Sequence, residues 1–172
     1  MATGSTGSMS AQPRTELLDL PREYGRPESP LEWAGVRARL DTATHYWLAT
    51  VRPDGRPHVV PLDGIWVDDC WYFGGSREAV KHRNLEHDPR AALHLEDASQ
   101  AVIVEGVCEW LLPRGALAVA LSKGSKAKYG YGPDPASYAH SGVWCLRPRR
   151  VLSWQRFPHD ATRFVFERAS SP

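Results

Sequence analysis

Gly74-Gly75-Ser76-Arg77, followed within about two helical turns by Lys81, His82, Arg83 and Asn84, is the densest collection of anion-binding chemistry in the chain. Glycines let backbone amides approach a ligand, a hydroxyl adds a donor, and lysine and arginine add charge-assisted hydrogen bonds; these are the parts of a phosphate cradle at a helix entrance. A solvated basic helix face has the same composition, so the cluster alone leaves both readings open. The chain contains seven histidines, which invite a metal reading, but His82 and His87 do not share a helix face well and His94 with Glu96 offers only two ligands on a strand face. No metal site is expected. A hydrolase would need its serine on a strained G-x-S-x-G turn, and neither Gly75-Ser76 nor Gly124-Ser125 has that frame. Cys70, Cys108 and Cys145 are odd in number and lack any C-x-x-C pairing, so they read as reduced, buried thiols of a cytoplasmic protein.

The elements that must position the cluster are mostly strands. Ser29-Pro30-Leu31-Glu32 predicts a helix start with a capping box, and Trp33, Val36 and Leu40 form one buried stripe down to about Thr42. Tyr46 to Arg52, the turn Pro53-Asp54-Gly55-Arg56, His58 to Val67, the turn Asp68-Asp69 and Cys70 to Phe73 then predict a meander of three successive antiparallel strands. Arg77 to His87 reads as a short basic helix ended by Asp88-Pro89. Strands follow at Ala91 to Glu96 and Ala101 to Leu111, with Gly106 marking a bulge or bend. Pro113 opens a helix over Arg114 to Ser122, and Lys123 to His140 reads as a long functional loop. Strands at Gly142 to Arg147, Val151 to Phe157 and Thr162 to Glu167 complete the pattern. The fold class is mainly β with some helix (α+β): a six- to seven-stranded antiparallel split β-barrel with a few flanking helices, since closure removes exposed sheet edges.

With 172 residues the chain suits one domain that needs no disulfide or metal staple. Lys and Arg number 21 against 20 Asp and Glu, which leaves no field to attract nucleic acid, and no apolar run reaches the roughly 20 residues of a spanning helix. A cytoplasmic location without membrane contact is expected. Residues 1–27 form a flexible N-terminal arm, extended or draped over a partner, of which 1–8 read as an added leader; residues 28–172 form the cofactor-binding barrel.

Trp47-Leu48-Ala49-Thr50-Val51-Arg52-Pro53-Asp54-Gly55-Arg56-Pro57-His58, then Trp71-Tyr72-Phe73, Lys81-His82-Arg83-Asn84-Leu85, Asp88-Pro89-Arg90 and Val104-Glu105-Gly106 occur in an order that resembles the pyridoxamine 5'-phosphate oxidase-like split β-barrel family. The resemblance spans about residues 31 to 168 and includes Thr162-Arg163-Phe164. It implies a homodimer that holds FMN or the deazaflavin F420 in a groove between subunits, with the ring against the second strand and the phosphate near the basic helix. Lys81 matches the family's phosphate-binding lysine and Asn84 its polar partner; Val59, Val60 and Pro61 would line the ring, and Trp154 and Arg163 match late residues that reach the site. The chain also departs from the family pattern. Ala79-Val80 stands where oxidases carry Ser-Arg, Gly75 replaces a hydroxyl at the end of the third strand, and Val59 and Gly64 replace basic residues of the second. The resemblance therefore implies an FMN- or F420-dependent oxidoreductase of a small organic molecule other than a true pyridoxamine phosphate oxidase. Gly75, Ser76, Arg77 and the lysines Lys123, Lys126 and Lys128 remain for an anionic tail. Hydride transfer needs no catalytic acid or base from the sequence, although His58 and Arg163 stand as candidates for polarising a substrate. Trp66 and Trp154 are candidate cofactor neighbours. The alternatives are a non-catalytic flavin-, F420- or haem-binding or sensing protein, with His94 or His140 as axial ligand, and a dimeric scaffold.

Overall fold

The computed structural model describes residues 12–167. The elements run β1 (Arg14–Leu17), α1 (Trp33–Thr42), β2 (Tyr46–Val51), β3 (Pro57–Leu62), β4 (Ile65–Val67), β5 (Cys70–Phe73), α2 (Val80–His87), β6 (Arg90–His94), β7 (Val102–Leu111), α3 (Gly115–Tyr129), α4 (Tyr138–Ser141), β8 (Val143–Ser153) and β9 (Thr162–Val165). The strands pair antiparallel in one sheet of order β1-β9-β8-β7-β6-β2-β3, and the β4–β5 hairpin joins through β5 to β8. Long β8 pairs with β7 along one edge; on its other edge it pairs with β5 near its start and with β9 near its end. This mainly antiparallel α+β arrangement is a split β-barrel.

The α1 stripe packs as its spacing predicts. Trp33, Val36 and Leu40 are buried, and the Trp33 ring lies 5.2 Å from the rings of both Phe164 and Phe166. The capping box does not form: the helix starts after Glu32 with no side-chain cap, and the Leu31 amide donates instead to Thr162 Oγ1 at 2.8 Å. Tyr46, Leu48 and Thr50 point inward from β2, and the largest fully buried side chains, among them Trp71, Tyr46, Phe164, Leu93 and Val151, fill the barrel. Each large apolar chain so buried stabilises the fold by about 1.5–3 kcal/mol relative to exposure. A second, smaller core of Tyr72, Ala118, Leu121, Tyr138, Val143 and Cys145 lies beneath α3.

Several sequence expectations are corrected. The predicted strand from His58 to Val67 breaks at Asp63-Gly64, and β3 and β4 do not pair, so the meander is two separate hairpins. Gly64 permits the break because its Cα packs on the Trp71 indole: a Cβ there would sit 2.2 Å from Nε1. Asp68 and Asp69 make the β4–β5 turn with φ of 48° and 58°, as a two-residue primed turn requires. The predicted strands either side of Pro148 are one strand, with Pro148 opposite Gly106 where the ladder shifts register. Gly106 does mark the bulge, and a Cβ there would meet the Arg147 carbonyl at 2.2 Å. The expected loop from Lys123 is helical as far as Tyr129, because Gly124 faces Ile65 and the first left-handed residue is Gly130. The sheet has nine strands among the described residues, more than the six to seven expected. Two of the additions are the split at Gly64 and β1, the part of the N-terminal arm that pairs with β9. The leader at residues 1–8 lies outside the described residues. No helix among the described residues is long and apolar enough to cross a membrane.

Candidate cofactor site

Where β5 ends, the chain turns through Gly74 and Gly75 and enters α2 with Lys81 in its first turn. Lys81 is 8% exposed, and its side chain folds back over Gly75, whose φ of 125° is open to glycine. The space a side chain would occupy at Gly75 is taken by the ammonium, since a Cβ there would lie 2.6 Å from Lys81 Nζ. Glycine in place of the family's hydroxyl thus makes room for the lysine. Burial lowers the Lys81 pKa below the ordinary lysine value, and neither a carboxylate nor a hydrogen bond among the described residues offsets it. The ammonium is partly desolvated where it faces the cavity, and an anionic ligand there would supply the missing counter-charge.

Lys81 opens onto a cavity of about 440 Å³, within the range of small-molecule sites. One wall is the β3–β4 break, Leu62 to Ile65; another is Tyr72 to Gly75; the third is α3, α4 and their connection, which bring Ser125, Tyr129, Tyr131 and Tyr138. Tyr129 ties these walls together, accepting from the Gly64 amide and donating to the Gly64 carbonyl, both at 3.0 Å. Tyr131 donates to Asp63 Oδ2 at 2.9 Å. Burial raises the pKa of Tyr129, Tyr131 and Tyr138, with further contributions from Asp63 at the first two, so these phenols act as neutral hydrogen-bond donors. The tyrosines fall in the stretch whose length marks it as functional, although their convergence on Lys81 has no signature in spacing.

Behind the lysine, α2 is stitched to the sheet. Asn84, 1% exposed, donates from Nδ2 to Thr50 Oγ1 at 2.9 Å, and Thr50 Oγ1 lies 3.4 Å from His58 Nδ1. Asn84 therefore braces the helix that carries Lys81. Burial lowers the His58 pKa, and Arg52 and Lys81 lower it further, so the imidazole is neutral near pH 7. His82 accepts at Nδ1 from Trp144 Nε1 at 3.0 Å, and its Nε2 lies 3.2 Å from Glu86, which explains its burial without a ligand.

The remaining expected residues are dispersed. Val59 is half exposed and shares the outward face of β3 with Pro61, while Val60 points inward; β3 is an edge strand whose Leu62 reaches the cavity, and none of the three lines it. Ser76 Oγ accepts from the Glu78 amide at 3.2 Å, and the Arg77 guanidinium lies over the Trp110 ring at 5.4 Å. Lys128, expected at an anionic tail, instead donates to the Ala43 carbonyl at 2.7 Å and to Tyr46 Oη at 2.8 Å; Lys123 and Lys126 are exposed on α3 outside the cavity lining. Trp66 is buried in the barrel core. Trp154 packs against Phe157, and Arg163 pairs with Glu16 at 2.5–2.8 Å beside a separate groove of about 830 Å³ on the outer sheet face. Neither lines the Lys81 cavity within one chain. His94 Nδ1 lies 2.8 Å from the Leu95 carbonyl, and His140 is exposed on the four-residue α4. No group of three or more His, Cys, Asp or Glu side chains converges among the described residues.

The fold is thus a split β-barrel with a lysine at a glycine-rich helix entrance beside a cavity of small-molecule size. Residues 34–155 match the pyridoxamine 5'-phosphate oxidase family, and the chain belongs to it. A conserved hypothetical protein from Mycobacterium tuberculosis is 24% identical, with a TM-score of 0.63 over 75% of this chain and 88% of that one. An F420 reductase is 26% identical, with a TM-score of 0.53 over 73% of this chain and 97% of that one. A heme binding protein from Mycobacterium smegmatis is 23% identical, with a TM-score of 0.57 over 73% of this chain and 55% of that one. No curated protein matches the chain.

Proposed function

We propose that the protein is an oxidoreductase that holds a flavin-type cofactor, FMN or F420, and moves a hydride between it and a small organic substrate. The observation that carries this reading is Lys81, a largely buried lysine whose ammonium faces the glycine-lined mouth of the 440 Å³ cavity with no carboxylate partner among the described residues. A phosphate fits there, because it supplies the missing charge and the Gly74-Gly75 backbone has no side chain to exclude it. Family membership and the likeness to an F420 reductase support the choice of cofactor.

In this reading Lys81 and the Gly75-Ser76 backbone hold the phosphate, while the outward Val59 and Pro61 and the backbone of Val60 on the β3 edge line the ring. When bound, the cofactor supplies the hydride chemistry, and the chain supplies position, dryness and charge. Tyr129 and Tyr131 fix the α3 side of the cavity to the β3–β4 break through their bonds to Gly64 and Asp63. Neutral His58 keeps one ring N–H with which to donate a hydrogen bond near the lysine. The assembly is a homodimer, in which Trp154 and Arg163 serve the site of the other copy.

The experiment is a parallel titration with FMN, F420 and haem, followed by flavin and deazaflavin fluorescence and by Soret absorbance, with sedimentation to read the oligomeric state. Saturable FMN or F420 binding below about 100 μM supports the proposal, since weaker binding is poor for a dedicated site. The second reading, a non-catalytic flavin-, F420- or haem-binding or sensing protein, is favoured by the heme binding structural relative and by the loss of Ser-Arg at Ala79-Val80. Soret binding without flavin binding selects its haem form; flavin or F420 binding without turnover selects its sensing form.

A further inference from the structure

Away from the lysine, two thiols meet on the sheet. Cys70 opens β5 beside the Asp68-Asp69 turn and is half buried; Cys145 lies on β8, fully buried, directly across from Tyr72. Side chains alternate along a strand, so Cys70, Tyr72 and Cys145 share one face and the two cysteines are diagonal neighbours. The Arg147 guanidinium approaches Cys70, with Nη1 3.6 Å from Sγ, and is itself anchored by Glu109 at 3.0 Å.

We propose that Cys70 and Cys145 form a peroxide-responsive thiol pair, in which Cys70 is oxidised first and Cys145 resolves it into a disulfide joining β5 to β8. Hydrogen bonding from Cys145 and the charge of Arg147 outweigh burial and Asp69 to hold the Cys70 thiol below the ordinary cysteine value. With Arg147 Nη1 3.6 Å from its sulfur, Cys70 is the member of the pair that favours thiolate, the form that reacts. The Cys145 thiol is itself held well above the ordinary range, by Cys70 and by burial, so it reacts only when hydroxide released beside it takes its proton. Cys108, opposite Leu146 on β7, points to the other face of the sheet and has no such partner.

The chemistry closes with hydrogen peroxide as oxidant. The Cys70 thiolate attacks one peroxide oxygen, an S–O bond forms, the O–O bond breaks, and hydroxide leaves a sulfenic acid at Cys70. Cys145 gives its proton to that hydroxide and attacks the Cys70 sulfur, so the S–S bond forms as the S–O bond breaks and the sulfenic oxygen leaves as hydroxide, which takes up a solvent proton to become water. Over the two steps two thiol sulfurs are oxidised by two electrons together, and peroxide is reduced to two waters. Diagonal cross-strand residues lie about 7–8 Å apart, just beyond a disulfide's reach, so closing the bond requires the two strands to move together around Tyr72. Tyr72, Leu121, Tyr138 and Val143 belong both to the small core holding Cys145 and to the lining of the Lys81 cavity. Oxidation therefore shifts the cavity wall, and this chemistry requires no cofactor in the cavity.

The test is peroxide treatment of the full chain followed by denaturing alkylation, intact mass and peptide mapping. The expected product has lost two hydrogens, carries a Cys70–Cys145 linked peptide and is restored by dithiothreitol. Cys145→Ala should instead gain one oxygen that dimedone traps at Cys70, Cys70→Ser should resist oxidation at Cys145, and Cys108→Ser should behave as the wild type. Arg147→Gln should slow the first step several-fold at pH 7. Absence of the linked peptide from oxidised wild-type protein, or a link through Cys108, overturns the proposal even if a variant folds poorly.

Discussion

Replacing Lys81 by methionine keeps the aliphatic body of the side chain and deletes the ammonium, which separates what the charge does for binding from what it does to the fold. The residue is 8% exposed, with burial alone moving its pKa, so its charge is held without an internal partner. A phosphate docked against it gains a charge-assisted contact worth about 1.5–3 kcal/mol, and Lys81→Met should weaken FMN or F420 by roughly 10- to 150-fold. Without ligand the effect has the opposite sign, because the variant no longer holds a partly desolvated charge without a partner. The folded-state pKa lies below the ordinary 10.5, so between those values the unfolded chain binds more protons and wild-type stability rises with pH. Lys81→Met should lack that rise. Fluorescence titration at fixed ionic strength and thermal melts at neutral and alkaline pH read the two effects. Unchanged affinity in a folded variant, or a markedly lower melting temperature without ligand, would show that Lys81 serves the fold and not a ligand.

Gly75→Ala should also weaken phosphate-ligand binding, since the new Cβ falls 2.6 Å from Lys81 Nζ and the backbone φ is 125°; the same titration reports it. Gly64→Ala drives a Cβ to 2.2 Å from the Trp71 indole and should cost about 1–3 kcal/mol, read as a lower denaturation midpoint. Asp160 is buried, which alone would raise its pKa, but the amides of Arg156 and Gln155, at 2.8 and 3.0 Å, and the nearby Arg156 guanidinium bring it below 3.8. Its contribution is present above that value and lost as pH falls through the folded pKa, so Asp160→Asn should flatten acid unfolding below about pH 4, measured by circular dichroism.

Local signals carried much of the fold. The Trp33, Val36 and Leu40 stripe, the five-residue turn closed by Gly55, the stop at Asp88-Pro89 and the Gly106 bulge each rest on backbone chemistry that acts within a few residues. What was hidden depends on distant partners. Gly64 reads as an ordinary strand glycine until Trp71 is packed on it, and Arg14 to Leu17 has no strand character until β9 offers an edge. The same division runs through the site. Gly75 and Lys81 are legible because a glycine turn and a lysine sit close together in sequence, whereas Tyr129 and Tyr131 reach the cavity only through Gly64 and Asp63, more than 60 residues upstream. Lys128 shows the reverse error, a cation available by composition but already committed to Ala43 and Tyr46.

The way β8 is shared has a consequence for how the molecule comes apart. One continuous strand braces the β4–β5 hairpin at its start and the β1–β9 pair at its end, with β7 along its full opposite edge. Loosening either flank strips bonds from the backbone that steadies the other, so the two halves melt together and do not separate into independently ordered pieces. Amides at Cys145 and Val151, fully buried and each flanked by strands on both edges, should exchange with solvent only when the whole molecule opens, which makes β8 the common spine of both halves.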